Sequence, residues 1–500
     1  MDFANAAQAL TQGRGTYNGP MSKGEQNKRF IGDVGNPLET TGEKAAASFG
    51  MVLLSLVLGA LAGLAVCALL RLSAFLTQLL WEGGYEQLSA ALSAAGLSSW
   101  WLPLAFCTVG GLLIGLWTWR FGGQPQPLDQ VLSSVKQTGG YSLEKPAASV
   151  VGFLLPLVFG GSVGPEAGLT GIAAAACTKL GQLLKRAGIR VKGLVDVTIS
   201  AVLSAVFATP FVGVVAASQD AMPARDASPG SPDSLGSPDS PDSPSSRADD
   251  YEYRRKVKLV LYTSAALGAL AGAVLLSWIL GKNGGLPRFD GMVPGANKLW
   301  WALPCLALGY VGALLFHGGE TVFAHLSSAM GHRPVLKPLI AGVVLGLIAI
   351  PLPLVLFPGE EQAFALMESW QSMGAVVLIA TGLLKCLATP LCLNFGWNGG
   401  HFFPCIFAGI ALGYGLASLS QLEPMFCVAV TTATLVAGAQ RKPLIALALL
   451  LMCFPASGIL WMGVACMLGA AMPLPKALQS HGADARPDPN RRKDADPCSD

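Results

Sequence analysis

The sequence predicts an all-α polytopic membrane protein of tilted and broken helices, and three observations carry that expectation. Of 500 residues, 52% are hydrophobic and only 13% are charged, with a mean hydropathy of +0.51. Soluble domains carry about 25% charged residues, so a soluble globular enzyme is excluded. Sixty glycines and eleven tryptophans suit a bilayer, because glycine lets helices approach closely and tryptophan settles at the headgroup level. Finally, apolar stretches follow one another from residue 48 to 475, several of them too short to cross a membrane alone.

In chain order, residues 1–47 form a polar tail with Arg14, Lys23, Lys28, Arg29 and Lys44 and no apolar core of the signal-peptide kind, so a cytosolic tail is expected. The apolar segments then run over 49–80, 101–119, 147–159, 167–183, 194–218, 257–280, 300–316, 335–357, 373–395, 402–419, 425–438 and 443–472. A perpendicular span takes about 20 apolar residues, so the first and last are expected to tilt or bend. Short segments interrupted by glycine and proline point to a transporter-like binding site, since broken backbone at membrane depth must face protein or a polar cavity.

Residues 223–250 interrupt the pattern with repeats of Ser, Pro and Asp that have nothing to bury, and a disordered loop is expected there. The cluster Arg254, Arg255, Lys256 and Lys258 comes directly after it and sets the loop on the cytosolic side. Residues 476–500 make a second charged cytosolic tail. The expected organisation is therefore a first repeat over 48–222 and a second over 251–475, multi-pass in a cell membrane of bacterial inner or plasma-membrane type, with both termini cytosolic. A net charge of +3 gives no reason to expect nucleic-acid binding. Eleven cysteines stand singly without clustered histidines, so no disulfide framework, metal site or cofactor is expected.

One pattern occurs in both halves. Gly160-Gly161-Ser162-Val163-Gly164-Pro165 and Gly399-Gly400-His401-Phe402-Phe403-Pro404 share the spacing Gly-Gly-x-x-x-Pro, each leading into a helix-compatible run of small and apolar residues. A second pair comes in the same order, Ala208-Thr209-Pro210-Phe211-Val212 and Arg441-Lys442-Pro443-Leu444-Ile445. Two ordered echoes indicate an internal duplication, with the substrate site expected between the repeats. Glycines permit a tight non-helical approach, and proline at the first helical position sacrifices no hydrogen bond. The product is a helix start inside the membrane, whose free amides and positive dipole end attract an anion without a charged side chain.

At these residues the sequence resembles the CLC family of chloride channels and chloride/proton exchangers. Gly161-Ser162-Val163-Gly164-Pro165 stands where the family has G-R-E-G-P, and Gly399-Gly400-His401-Phe402-Phe403-Pro404 where it has G-G-x-F-x-P. Phe207-Ala208-Thr209-Pro210-Phe211-Val212-Gly213 is similar to its F-N-A-P-L-A-G, and Leu384-Lys385-Cys386-Leu387-Ala388-Thr389 to the segment leading into the second motif. The resemblance spans about residues 50–472. It implies a CLC-type inverted repeat, a homodimer, and one pathway per subunit for chloride or a similar small anion. The implied anion-binding residues are Gly161, Ser162, Val163, Gly164, Gly400, His401, Phe402 and Phe403, with Gln124 in place of the family's central serine.

Departures from the family pattern bear on mechanism. The gating glutamate falls on Val163, which holds no proton, and the central tyrosine has no counterpart after Met472. The inner acidic position falls at Asp220, or at Gln219 with a shift of one. These losses favour a passive anion channel over a proton exchanger. Glu166, three residues after Val163, is a second gating candidate; counted along a helix it returns to the same face about one turn further on, so it is expected to tune the pathway without reaching the outer anion site. The alternative is an antiporter in which Glu166 replaces the missing glutamate. Lys385 is expected either to lend positive charge to the pathway or to pair with a carboxylate, while His317, Glu320 and His325 are expected near a loop. A membrane enzyme acting on lipid is the remaining class, but no nucleophile, metal cluster or acid/base pair supports it, and the chain is not expected to be an enzyme.

Overall fold

A computed structural model describes residues 41–122, 126, 130, 131, 134, 141–186, 194–207, 259–275, 278, 288, 289, 291, 299–420 and 422–475. The predicted loop at 223–250, most of the N-terminal tail and the tail from 476 lie outside the described residues, as do Gln124, Asp220 and the 208–213 stretch. The chain divides into two units, Met1–Met51 and Val52–Asp500. Of the first, the helical backbone from Thr41 is described; the helices that build the site belong to the second.

Fifteen α-helices are described: α1 (Thr41–Gln78), α2 (Glu86–Ala94), α3 (Leu102–Phe121), α4 (Pro146–Val158), α5 (Glu166–Arg186), α6 (Leu194–Val206), α7 (Leu259–Leu275), α8 (Leu299–Ala329), α9 (Leu336–Ala349), α10 (Glu360–Ser369), α11 (Ala375–Asn394), α12 (Phe402–Ser420), α13 (Pro424–Gln440), α14 (Pro443–Leu450) and α15 (Ile459–Ala471). A π-helical turn, Leu79–Tyr85, joins α1 to α2. Among the described residues the extended pairing is a single bridge between Gly164 and Gly400.

Among the described residues, five stretches are long and apolar enough to cross a membrane: Val52–Ala94, Leu102–Phe121, Trp300–Ala329, Ala375–Asn394 and Phe402–Ser420. They do not share one environment. In the 18-residue apolar window of Val52–Ala94 28% of residues are buried, against 83% in that of Phe402–Ser420, so the first is largely exposed while α12 is encased by other helices. Helix α13 is buried continuously from Phe426 to Ala439, as expected of a helix apolar on every side. The outer surface carries Trp119, Trp278, Trp300, Val376 and Leu460 at more than 60% exposure, a surface suited to lipid rather than water.

Close crossings rest on small residues. On α3, a methyl group at Gly111 or Gly115 would collide with the backbone of Pro338 or Val335, and on α9 one at Gly342 would strike the Cys107 carbonyl. Helix α12 meets α13 the same way through Gly409 and Gly413. Such contacts gain dispersion energy where lipid removes the hydrophobic drive between helices.

The predicted segments correspond to helices with three differences. The 300–316 segment continues as α8 to Ala329. The 335–357 segment ends as a helix at Ala349, before Pro351 and Pro353, and closes in a 3-10 turn over Pro353–Val355. The 443–472 segment is two helices, parted around Pro455. Helices α2 and α10 fall in none of the twelve segments.

Candidate anion site

The two Gly-Gly motifs are the non-helical connections from α4 to α5 and from α11 to α12, and they meet in the interior. Every residue from Gly160 to Thr170 is buried. The connections run antiparallel at one point: the Gly164 N–H donates to the Gly400 carbonyl and the Gly400 N–H to the Gly164 carbonyl, each at 2.7 Å. That bridge brings the first turns of α5 and α12 side by side.

At this junction lies Glu166, fully buried at the start of α5. Its Oε1 accepts the backbone N–H of Phe402 at 2.8 Å, while Oε2 has no hydrogen-bond partner among the described residues. A carboxylate thus sits on a free amide at the positive end of α12, the kind of place that binds anions. The absence of side chains at the two bridging glycines makes room for it. A Cβ at Gly400 would lie 1.8 Å from Oε1 and 1.9 Å from Cδ, and one at Gly164 would lie 2.0 Å from Oε2.

The Glu166 carboxylate reaches from the start of α5 to the start of α12. Side chains in the first turn of a helix lean toward its N-terminus, so the carboxylate swings back over Gly164 and reaches Phe402. Backbone amides of the first motif have partners within the protein. The Gly161 N–H donates to Pro156 O at 2.7 Å and the Val163 N–H to Gly161 O at 2.8 Å. With the Gly164 and Gly400 N–H groups each donating to the other's carbonyl, these four amides are bonded to backbone carbonyls of the protein. Val163 itself is fully buried against Gly399.

Around the Phe402 amide the walls are aromatic. Phe207 stacks on Phe403 with ring centres 5.3 Å apart and meets Phe402 edge-on at 5.6 Å. His401 stacks on Phe402 at 5.1 Å and lies 5.5 Å from the ring of Phe316. The Ser162 hydroxyl faces Thr389 at 3.1 Å. Because Thr389 donates its own hydrogen to Lys385 O at 3.0 Å, Ser162 is the donor in that pair.

Two groups of residues shape the site that the sequence did not single out for it. Trp81, from the π-helical turn, donates to Val158 O at 2.9 Å and packs edge-on against Phe357 at 5.2 Å; such turns often mark functional sites. Trp397, fully buried, donates to Pro338 O at 2.9 Å and lies against Gly161. Lys385 pairs with no carboxylate of the described residues; its ammonium donates to the carbonyls of Val355, Leu356 and Phe357 at 3.0, 3.1 and 2.8 Å. His317 and Glu320 lie inside α8 rather than beside a loop, 3.6 Å apart, with His317 Nε2 3.1 Å from Gly438 O.

Two buried helix starts, joined by non-helical connections inside an apolar bundle, define a polytopic membrane protein with its polar site at the core. The voltage-gated chloride channel profile matches residues 110–224 and 252–473, and the chain belongs to this family, the CLC family. Membership makes it an anion-transport protein of the membrane. Among its relatives, the YfeO protein of Salmonella paratyphi A, a candidate ion-transport protein by name, is 25% identical over 385 residues, covering 75% of this chain and 82% of that one. Solved structures share the fold. A CLC-type fluoride/proton antiporter superposes with TM-score 0.61 at 19% identity, over 86% of this chain and 96% of its own. A slow cyanobacterial chloride/proton antiporter does so with TM-score 0.64 at 17% identity, over 87% and 95%.

Proposed function

We propose that this chain exchanges a small anion, chloride or one of similar size, for protons, with Glu166 as the carboxylate that alternates with the anion on the Phe402 amide. The observation that carries the reading is the 2.8 Å bond from the Phe402 N–H to Glu166 Oε1. An ionised carboxylate holds that amide and the dipole end of α12 and so excludes the anion. When Oε2, the oxygen without a partner, takes a proton, the charge that held the side chain there is gone and the anion can replace it. The same proton is released when the ionised carboxylate returns, so proton and anion move in alternation. Val163 cannot perform this step, and Glu166 meets the requirement that an ionisable group visit the pathway.

The second reading is the passive channel. It is favoured by one observation, that the position of the family's gating glutamate is Val163, buried and unable to titrate.

Anion efflux from proteoliposomes at graded pH tests the proposal. Flux is expected to rise as the pH falls, because protonation takes the carboxylate off the amide, and in Glu166→Gln it is expected to be nearly independent of pH. A parent flux with no pH dependence, or a Glu166→Gln profile like the parent's, would contradict it.

A further inference from the structure

We propose that His317 and Glu320 on α8 form a second proton-carrying site, which takes the proton that Glu166 gives up and hands it on. The inference rests on the reading of Glu166 as the carboxylate that alternates with the anion, and adds where its proton goes. Neither residue lies in the motifs shared with the family.

Ionisable side chains inside a membrane-spanning helix are costly and mark pathways for ions and protons. His317 and Glu320 lie within the span Trp300–Ala329. His317 Nε2 is 3.1 Å from the Gly438 carbonyl. A carbonyl oxygen only accepts, so Nε2 carries hydrogen and Nδ1 is left as the atom that gains a proton. Nδ1 is also the nitrogen that faces Glu320, 3.6 Å from Oε2, so an imidazolium formed there is stabilised by the carboxylate.

The pair stands level with the anion site. Helices α12 and α13 run antiparallel, Gly409 against Thr432 and Gly413 against Val428, which sets Gly438, in the last turn of α13, beside the first turn of α12. Phe316 fills the space between, its ring 5.5 Å from that of His401 and 5.8 Å from that of His317. One phenyl ring thus separates His317 from the residue that precedes Phe402. The Cys405 thiol, in the first turn of α12, lies within range of the charges of both Glu166 and Glu320. From this level the pair leads outward. Helix α8 runs in the same direction as α13, with Gly309 against Thr431 and His317 at Gly438, so Glu320 lies a turn further toward the end of α13. Its side chain is 34% exposed, against 14% for His317.

When Glu166 returns to the Phe402 amide, its Oε2–H bond breaks, water carries the proton across, and an N–H bond forms at His317 Nδ1. The imidazolium then releases the proton to Glu320 or to water beside it, which restores the neutral ring. Helices α11, α12, α13 and α15 pack against α8, and none of them carries an Asp or Glu. Their charged groups are held elsewhere: Lys385 by the carbonyls of Val355, Leu356 and Phe357, and Arg441, at the end of α13, by Ala470 O and Met472 O at 2.6 and 2.7 Å. The other titratable groups on these helices are the buried thiols of Cys386, Cys392, Cys405, Cys427 and Cys466 and the buried Tyr414. On α8 itself they are Cys305, Tyr310 and His325, of which Tyr310 donates to Pro473 O.

The competing account is that the pair only fastens α8 to α13. Proton and chloride fluxes recorded together in proteoliposomes of the full chain, under a chloride gradient at equal pH and clamped voltage, separate the two. His317→Gln keeps a donor for Gly438 O but takes no proton, and Glu320→Gln keeps the shape without the carboxylate. Protons moved per chloride are expected to fall about tenfold or more in His317→Gln, and in the same direction in Glu320→Gln, while chloride still passes. A merely structural pair would lower the unfolding temperature and the total flux and leave that ratio as in the parent. An unchanged ratio in a folded His317→Gln protein overturns this inference alone; should that variant fail to fold, an unchanged ratio in Glu320→Gln does so. Absence of proton movement in the parent itself overturns the reading of Glu166, and this inference with it.

Discussion

Glu166 and Phe402 are 236 residues apart in sequence, yet the carboxylate of one accepts the backbone N–H of the other at 2.8 Å. The contact joins the first turns of α5 and α12. It also explains why two particular positions are glycine: Gly164 and Gly400 bond to each other through their backbones, and their missing side chains leave the space that the carboxylate fills.

Gly400→Ala therefore acts on the carboxylate rather than on the backbone. The new methyl would lie 1.8 Å from Oε1, so the side chain must leave the Phe402 amide. The expected result is flux that has lost most of its pH dependence, as in Glu166→Gln. In a Glu166→Ala chain the methyl finds room, and adding Gly400→Ala should change flux less than about twofold, the non-additivity expected of residues in contact. Efflux assays of the four proteins check this.

Ser162 is expected to matter little to the anion. Its hydroxyl donates to Thr389 at 3.1 Å, so Ser162→Ala should cost about 0.5–1.5 kcal/mol of stability. Half-saturation by chloride should remain within about twofold, which concentration-dependent flux measures; the factor corresponds to well under 1 kcal/mol.

Trp397→Phe tests the scaffold apart from the site. The indole N–H is the donor to Pro338 O in a fully buried contact, and leaving that carbonyl without a donor should cost about 1–3 kcal/mol. A lower thermal unfolding temperature in detergent, with the pH dependence of flux retained, is the expected pair of observations.

The helices were readable because apolar length and Gly/Pro punctuation are local properties. Where local pattern ended early, tertiary contact carried the helix on. Polar His317, Gly318, Gly319 and Glu320 end the apolar run of α8, but His317 finds Glu320 one turn on and Gly438 O on α13, so the helix continues. Helix α10 was missed because ten residues beginning with Glu360 and Glu361 do not look like a membrane segment.

The site was half readable. The repeated Gly-Gly-x-x-x-Pro spacing placed both buried helix starts, since the chemistry that breaks and restarts a helix is written in the motif itself. Which amides stay free could not be read, because Gly164 and Gly400 satisfy each other across distant sequence. The Glu166–Phe402 contact is hidden for the same reason: counting turns from Val163 places Glu166 on α5 but says nothing of α12 beside it. Gly164 directly before the Pro165-Glu166 step, with Gly400 in the matching motif, was the signal available for a side chain folded back between the two glycines. Lys385 was read as near the pathway or paired with an acid, and its carbonyl cage comes from a turn about 30 residues upstream that the sequence showed only as the end of an apolar run.

The central claim, that the Glu166 carboxylate trades places with the anion and carries a proton as it does so, is tested most directly by driving one flux with the other. Proteoliposomes holding the parent protein are loaded with high chloride, diluted into low chloride at equal pH with the voltage clamped, and monitored with a proton indicator. Proton uptake coupled to chloride efflux in the parent, and its loss in a Glu166→Gln protein that still passes chloride, is the predicted result. Chloride efflux from the parent without proton movement, or coupling that survives in Glu166→Gln, would contradict the account.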